Sequence, residues 1–272
     1  MAEQTKSDLE NRSGNLKRDD KRRDSETDNR YGAILLCGGK GTRLRELTRD
    51  EIPKSLVLIE GKELIRYSLE SMDPKIVKKL VFAVDYKSEQ IIDWVNALNL
   101  PIKVEFSYQS KPGVLYAVKE AAAHIEGQKL IFCNTDELRI NLHLDDAVRY
   151  HEASDYAATV VAAYTNALHK HGVLVIDDKN TVLKLRLRDP IYSSKPEEIG
   201  LVNTGIIIMN KSAIDYFNPE YDKDWNGITE PLIEASKLRA YIAAEMKFYH
   251  GNTLEQVLEA NEYIRKLGRN KK

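Results

Sequence analysis

"YGAILLCGGKGTRLRELTRDEIPKS", residues 31–55, sets a run of apolar residues directly before a loop rich in glycine and basic side chains, which ends in a proline-lysine pair. The apolar run has the length and composition of a buried strand. Gly38, Gly39 and Gly41 let the chain turn tightly and bring backbone N–H groups against an anion without interference from a Cβ. Arg43 adds an always-charged fork that suits phosphate oxygens. In an open α/β sheet such a loop lies at the carboxyl end of its strand, where ligands bind, so phosphate is the expected guest.

Downstream the same texture repeats. "ELIRYSLESM" reads as a helix, "KLVFAV" as a strand, "SEQIIDWVNAL" as a helix and "KVEFSY" as a strand, and "VLYAVKEAAAHI", "KLIFCN" and "LDDAVRYHEA" continue as helix, strand and helix. Strands alternating with helices of this length predict a mostly parallel sheet covered on both faces. After residue 155, "YAATVVAAY", "GVLVI", "VLKLRL" and "LVNTGIIIM" predict antiparallel or mixed strands beside the first set, with "DDKN" at 177–180 as a hairpin turn. The helix "TEPLIEASKL", the strand "AYIAAE" and the helix "TLEQVLEANEYIRKL" close the chain.

Bulk properties narrow the partners. The 272 residues carry a formal net charge of −1, which offers no overall reason to expect nucleic acid or an anionic membrane, so anion binding must be local. Residues 1–30 hold eight basic and eight acidic side chains and no aromatic residue, the composition of a disordered charged tail, and the folded domain is expected over 31–272. Cys37 and Cys133 sit in apolar runs and read as packing residues. No stretch approaches a membrane span and the N-terminus lacks the apolar core of a secretory signal, so a soluble cytoplasmic protein is expected.

Two familiar phosphate loops do not fit. A Walker A loop needs Gly-Lys-Ser/Thr at its end, but Lys40 lies between glycines, and Leu44 stands where a dinucleotide fingerprint needs its third small residue. Taken with Pro53-Lys54, the segment instead resembles the sugar-1-phosphate nucleotidyltransferase family, whose pattern runs Gly-Gly-x-Gly-Thr-Arg-Leu with proline-lysine further on. Gly38, Gly39, Gly41, Thr42, Arg43, Leu44, Leu47, Thr48, Pro53 and Lys54 fall in step, and the likeness continues more loosely to about Leu267. It implies a Rossmann-like three-layer α/β/α sandwich with a mixed, mostly parallel central sheet, of the nucleotide-diphospho-sugar transferase type. Residues 31–155 would bind nucleotide and 156–272 the sugar phosphate.

The implied reaction is attack by a sugar 1-phosphate on the α-phosphorus of an NTP, giving nucleotide-sugar and pyrophosphate. Arg43, Lys54 and Asp136 are then the catalytic candidates, with Asp136, at the end of "LIFCNTDE", as the Mg²⁺ ligand. Leu36, Gly38, Gly39, Gly41, Thr42, Arg43 and Lys54 are expected around the nucleotide, with Gln109 and Gly113 of "YQSKPGVLYAV" at its base. Gln109 leans toward UTP or dTTP, with GTP open. Gly172, Asn203 and Gly205 match positions beside the sugar.

The pattern also breaks. Arg188-Asp189-Pro190 replaces the family's Glu-Lys-Pro, leaving Lys184, Arg186 or Arg188 to grip the sugar phosphate. His250, in "FYHGNT", stands where a second Mg²⁺ aspartate belongs in the family, so either Mg²⁺ has fewer protein ligands here, or Asp224, Glu230 or Glu245 substitutes, or catalysis has been lost. Glu46, Ser55 and Glu63 replace prolines. These changes keep two alternatives open: a catalytically silent nucleotide-binding regulator, and a transferase acting on a phosphate such as phosphocholine, for which Tyr164, Tyr192, Phe217 and Trp225 would have to form an aromatic box. His169 and His171 lack the acid or cysteine of a known zinc site, His124, His143 and His151 are expected at the surface or at helix ends, and a homo-oligomer stays open.

Overall fold

The computed structural model describes residues 29–166, 172–186 and 199–269. The charged segment 1–28, His169 and His171, and Arg188, Asp189, Pro190 and Tyr192 lie outside the described residues. In chain order the strands are β1 (Tyr31–Leu36), β2 (Leu58–Ile59), β3 (Lys62–Glu63), β4 (Val77–Val84), β5 (Lys103–Tyr108), β6 (Lys129–Asn134), β7 (Glu137–Ile140), β8 (Ala158–Thr165), β9 (Val173–Ile176), β10 (Val182–Arg186), β11 (Gly200–Asn210), β12 (Leu238–Ile242) and β13 (Lys247–His250). The helices are α1 (Arg45–Thr48), α2 (Leu64–Glu70), α3 (Ser88–Asn96), α4 (Val114–Ala123), α5 (Leu144–Glu152), α6 (Trp225–Glu234) and α7 (Leu254–Arg269).

Among the described residues nine strands form one sheet, in the order β10-β9-β11-β6-β1-β4-β5, with β8 pairing both β11 and β12. β6, β1, β4 and β5 run parallel, β11 runs antiparallel to β6, and β12 is parallel to β8. The mixed, mostly parallel sheet expected from the alternation of strands and helices is therefore present, and both halves of the chain contribute to it.

Strand alternation sends side chains to two cores. Ile34, Val81, Phe132 and Ile207 face α4 and α6, where Leu115, Val118, Ile228 and Leu232 meet them. Leu35, Leu80, Phe82, Ile131 and Ile208 face the opposite layer, packing on Ile65, Ile91 and Val148 of α2, α3 and α5. Helical spacing explains the match: α5 buries Leu144, Ala147, Val148 and His151, one face of an i, i+3, i+4, i+7 stripe. Both cysteines are free and buried in this second core, and burial pushes the Cys37 thiol up to about 12, so it is a packing group. A third cluster, including Leu44, Val57, Leu64, Leu138 and Val257, fastens α7 beneath the glycine loop.

The hairpin at 177–180 forms: β9 and β10 pair antiparallel, Asn180 takes a φ of 63°, and Asp177 Oδ1 accepts from Thr181 N–H at 2.7 Å. Three features differ from the expectation. β7 and β13 form a separate antiparallel pair, with Glu137 opposite His250. β2 and β3 make a small hairpin. β12 begins at Leu238 and ends at Ile242 because its pairing with β8 runs from Ala158 to Ala162. No helix among the described residues is long and apolar enough to cross a membrane.

Candidate active site

β1 and β6 are neighbours in parallel register, Leu36 beside Asn134, so their carboxyl ends release the glycine loop and the Asn134–Glu137 segment side by side. A short chain of hydroxyls then fixes the Pro53–Ser55 turn. Thr135 Oγ1 donates to the Leu36 carbonyl at 2.7 Å, and the Ser55 hydroxyl meets that of Thr135 at 2.9 Å, both buried. Lys54 is thereby carried over the tip of β6, where its ammonium donates to Asp136 Oδ2 and to Asn252 Oδ1. Gly41 has a φ of 60°, and a Cβ there would lie 2.9 Å from the Cβ of Lys54. Its glycine is therefore what lets the lysine stem pass the loop. Ser55→Ala is expected to cost about 1 kcal/mol of stability in urea denaturation, since it removes one buried hydrogen bond.

Two hollows adjoin at this point. The first, about 530 Å³, is lined by Leu36, Gly38, Gly39, Gln109 and Gly113. The second, about 480 Å³, is lined by Gly172, Asn203, Gly205, Asp222, His250 and Asn252. Arg43, Lys54, Asn134, Asp136, Asp224 and Trp225 line both, so the cavities meet where Lys54 touches Asp136. Gly41 and Thr42 are not among the residues lining either. The Gln109 amide donates to the Lys111 and Gly113 carbonyls at 2.6 and 3.0 Å, bracing its own loop, while its Oε1 faces Gly38.

The floor of the second hollow is ionic and buried. Arg139 donates to both Glu137 Oε2 and the Thr204 carbonyl, the latter at 2.7 Å, and His250 Nδ1 stands 3.3 Å from Glu137 Oε1. Gly205, at φ 71°, bends β11 over this pair, since a Cβ there would come within 2.1 Å of Glu137 Oε2. Asn203 Oδ1 accepts the Gly205 N–H at 2.8 Å and holds the bend. Burial pushes the Asp136 carboxyl up, but the Lys54 ammonium, with smaller help from His250 and Arg139, outweighs it and holds the group below the usual carboxylate range. Asp136 is thus ionised.

Asp136 brings a hard oxygen to the joint of the hollows, with Lys54, His250 and Arg139 as the cationic groups that act on it. Both oxygens of Glu137 are taken. Such a donor set fits a Mg²⁺ whose other ligands are waters and phosphate oxygens, not a closed protein cage. Of the substitute acids, Asp224 lines both hollows, where it also accepts the Val114 N–H at 3.0 Å, whereas Glu230 and Glu245 line neither. His143, Asp145 and Asp146 form an exposed trio of possible ligands away from both linings. His151 sits at its helix end but is buried against Thr159, and burial pushes it down to about 4.

Among the described members of the aromatic set, Trp225 lines the hollows, Phe217 is buried in the core and Tyr164 is exposed. They do not form a box. Sequence reasoning missed Asn252, the Glu137–Arg139 pair and the Ser55–Thr135 link. Only the residue types in "NTDEL" and "HGNT" hinted at them.

The family model for nucleotidyl transferases matches residues 32–250. A D-glycero-alpha-D-manno-heptose 1-phosphate guanylyltransferase of Campylobacter jejuni is 26% identical over 187 residues, 68% of this chain and 77% of the relative. A mannose-1-phosphate guanyltransferase of Yarrowia lipolytica is 28% identical over 193 residues, 67% of this chain, which spans 50% of that relative's length. The crystal structure of HddC from Yersinia pseudotuberculosis complexed with GMP-PN superposes with a TM-score of 0.67 and 25% identity, covering 86% of this chain and 99% of the other. With the family model matching most of the chain, over a mixed, mostly parallel sheet flanked by helices, the chain belongs to the nucleotidyl transferase family.

Proposed function

We propose that the protein transfers a nucleotidyl group, with GTP as the favoured donor, to a sugar 1-phosphate. The observation that carries the reading is the pairing of Lys54 with Asp136 where the two hollows join, with Arg43 lining both. On this reading the triphosphate lies along the glycine loop in the first hollow and the acceptor enters from the second. An acceptor phosphate oxygen forms a bond to the α-phosphorus as the bond to the bridging oxygen breaks, and pyrophosphate leaves toward the loop. No proton transfer is required, so the protein contributes positioning and charge neutralisation. Arg43 and the loop amides hold the phosphates, and Lys54 stabilises the charge that builds on the α-phosphoryl oxygens. A divalent cation shared by Asp136 and the triphosphate would supply further neutralisation.

The names of the relatives move the base from a pyrimidine toward guanine. The inward turn of the Gln109 amide supports the same shift, because its donors already serve the loop. The first half of the chain is assigned to the nucleotide and the second to the sugar phosphate, since Gln109 and Gly113 line one hollow and Gly172, Asn203 and Gly205 the other. The test is pyrophosphate release from a panel of NTPs and sugar 1-phosphates with Mg²⁺. GTP with mannose or heptose 1-phosphate is expected to turn over fastest. Silence of every pair would overturn the proposal.

A further inference from the structure

We infer that Asn252 is a positioning residue for Lys54: it holds the ammonium at the joint of the two hollows without adding negative charge there. The inference rests on the nucleotidyl transfer proposed above. Asn252 follows β13, and the turn that carries it is held by three hydrogen bonds. Gly251 N–H donates to the Asp136 carbonyl at 2.7 Å, Asn252 N–H donates to Gln256 Oε1 at 3.0 Å, and Gln256 N–H returns to Thr253 Oγ1 at 3.3 Å. The last two bonds close the first turn of α7 in the manner of a capping box, so a 16-residue helix anchors the turn. The Asn252 side chain, on a residue 7% exposed, lines the second hollow and accepts from Lys54.

A lysine ammonium has three donors on a flexible four-carbon stem. Two of them are engaged on the walls, by Asp136 and by Asn252. The tetrahedral nitrogen then has one direction left, and its heading is set by the other two. The chemical identity of the second partner matters as much as its place. Asp136 alone balances the lysine, so the trio of Lys54, Asp136 and Asn252 is neutral. A carboxylate at 252 would leave it at −1, facing the triphosphate that it must attract. A neutral acceptor orients the ammonium and leaves its charge available to the phosphate.

The experiment is a double-mutant cycle on pyrophosphate release in the full chain, with thermal midpoints measured alongside. Asn252→Ala is expected to lower kcat about tenfold through lost orientation, with KM for either substrate changed by less than about threefold. Asn252→Asp, nearly isosteric, is expected to lower kcat about a hundredfold. In a Lys54→Ala background, Asn252→Ala should cost nothing further in the residual turnover, because the amide acts through the ammonium. An equal cost in both backgrounds, or an Asn252→Asp enzyme as fast as the wild type, overturns the assignment. If Asn252→Ala does not fold, Asn252→Ser, whose shorter side chain cannot reach the ammonium as an acceptor, is put through the same cycle with and without Lys54 and judged by the same criterion. A wild-type protein inactive on every substrate pair removes the transferase reading and this inference with it, whereas an active wild type with an additive cycle removes only the role of Asn252.

Discussion

Lys54→Ala is expected to lower kcat for pyrophosphate release about a hundredfold, the usual loss when one preorganised charge is removed from a reacting oxyanion. The effect should fall on kcat more than on KM, because in the proposed reaction the ammonium faces the developing charge rather than the glycine loop. The fold should survive, since the Ser55–Thr135 hydrogen bond still anchors the turn when the lysine is gone. Its alanine would leave Asp136 without its main neutralising partner. The lost ion pair also uncovers a negative charge where the proposed reaction places the triphosphate, so binding of the nucleotide should weaken in calorimetry. Full activity in Lys54→Ala would refute the assignment of that residue.

The second large effect lies beneath the site. Arg139→Met is expected to destabilise the protein by about 3–5 kcal/mol in urea denaturation, because it leaves the buried carboxylate of Glu137 without its guanidinium. That is a large part of the roughly 5–15 kcal/mol that holds a typical domain folded. The loss should extend beyond the ion pair, for Arg139 also donates to Thr204, Ser68 and Asn134 and so ties β11, α2 and β6 together. A further Glu137→Gln change should recover part of the loss by removing the stranded charge.

The acid limb of stability gives an independent check. Burial pushes the Glu137 carboxyl up, but the Arg139 ion pair and the neighbouring His250 outweigh it and hold it below the ordinary glutamate value of 4.5. A depressed folded-state value adds stability above that ordinary value, which is lost as pH falls through the folded one. The wild type should therefore lose stability below about pH 4.5, and Arg139→Met should lose much of that dependence. Urea midpoints from pH 7 to pH 3 would measure both slopes.

Much of this was legible in the chain. The alternation of "KLVFAV" and "KLIFCN" with amphipathic stretches predicts the central parallel strands, because burial on both faces demands continuous apolar runs, while "KVEFSY", alternating polar with apolar, forms the half-exposed edge strand β5. The glycine loop and Pro53-Lys54 carry a resemblance specific enough to select Arg43, Lys54 and Asp136 before any geometry is known. By contrast β7 and β13 are only four residues each, too short for a period to announce them, and the polar positions of β7, Glu137 and Arg139, are buried rather than turned to solvent. The glycines stood out by type, but what each one makes room for did not, because Gly41 serves the lysine stem and Gly205 the Glu137–Arg139 pair, both distant in sequence.

By itself the sequence determined most strands and helices of the main sheet, the glycine- and cation-rich make-up of the first loop and the family likeness, since each depends on neighbours along the chain and on the periodicity with which side chains meet a core. Only the tertiary structure decided which groups surround Lys54. Asp136 lies 82 positions away and Asn252 lies 198, and they meet because β6 pairs beside β1 while β13 closes on β7. Such contacts leave no periodic trace, since a single polar residue at a strand tip costs the local chain nothing and acquires its role only when distant strands bring a partner to it.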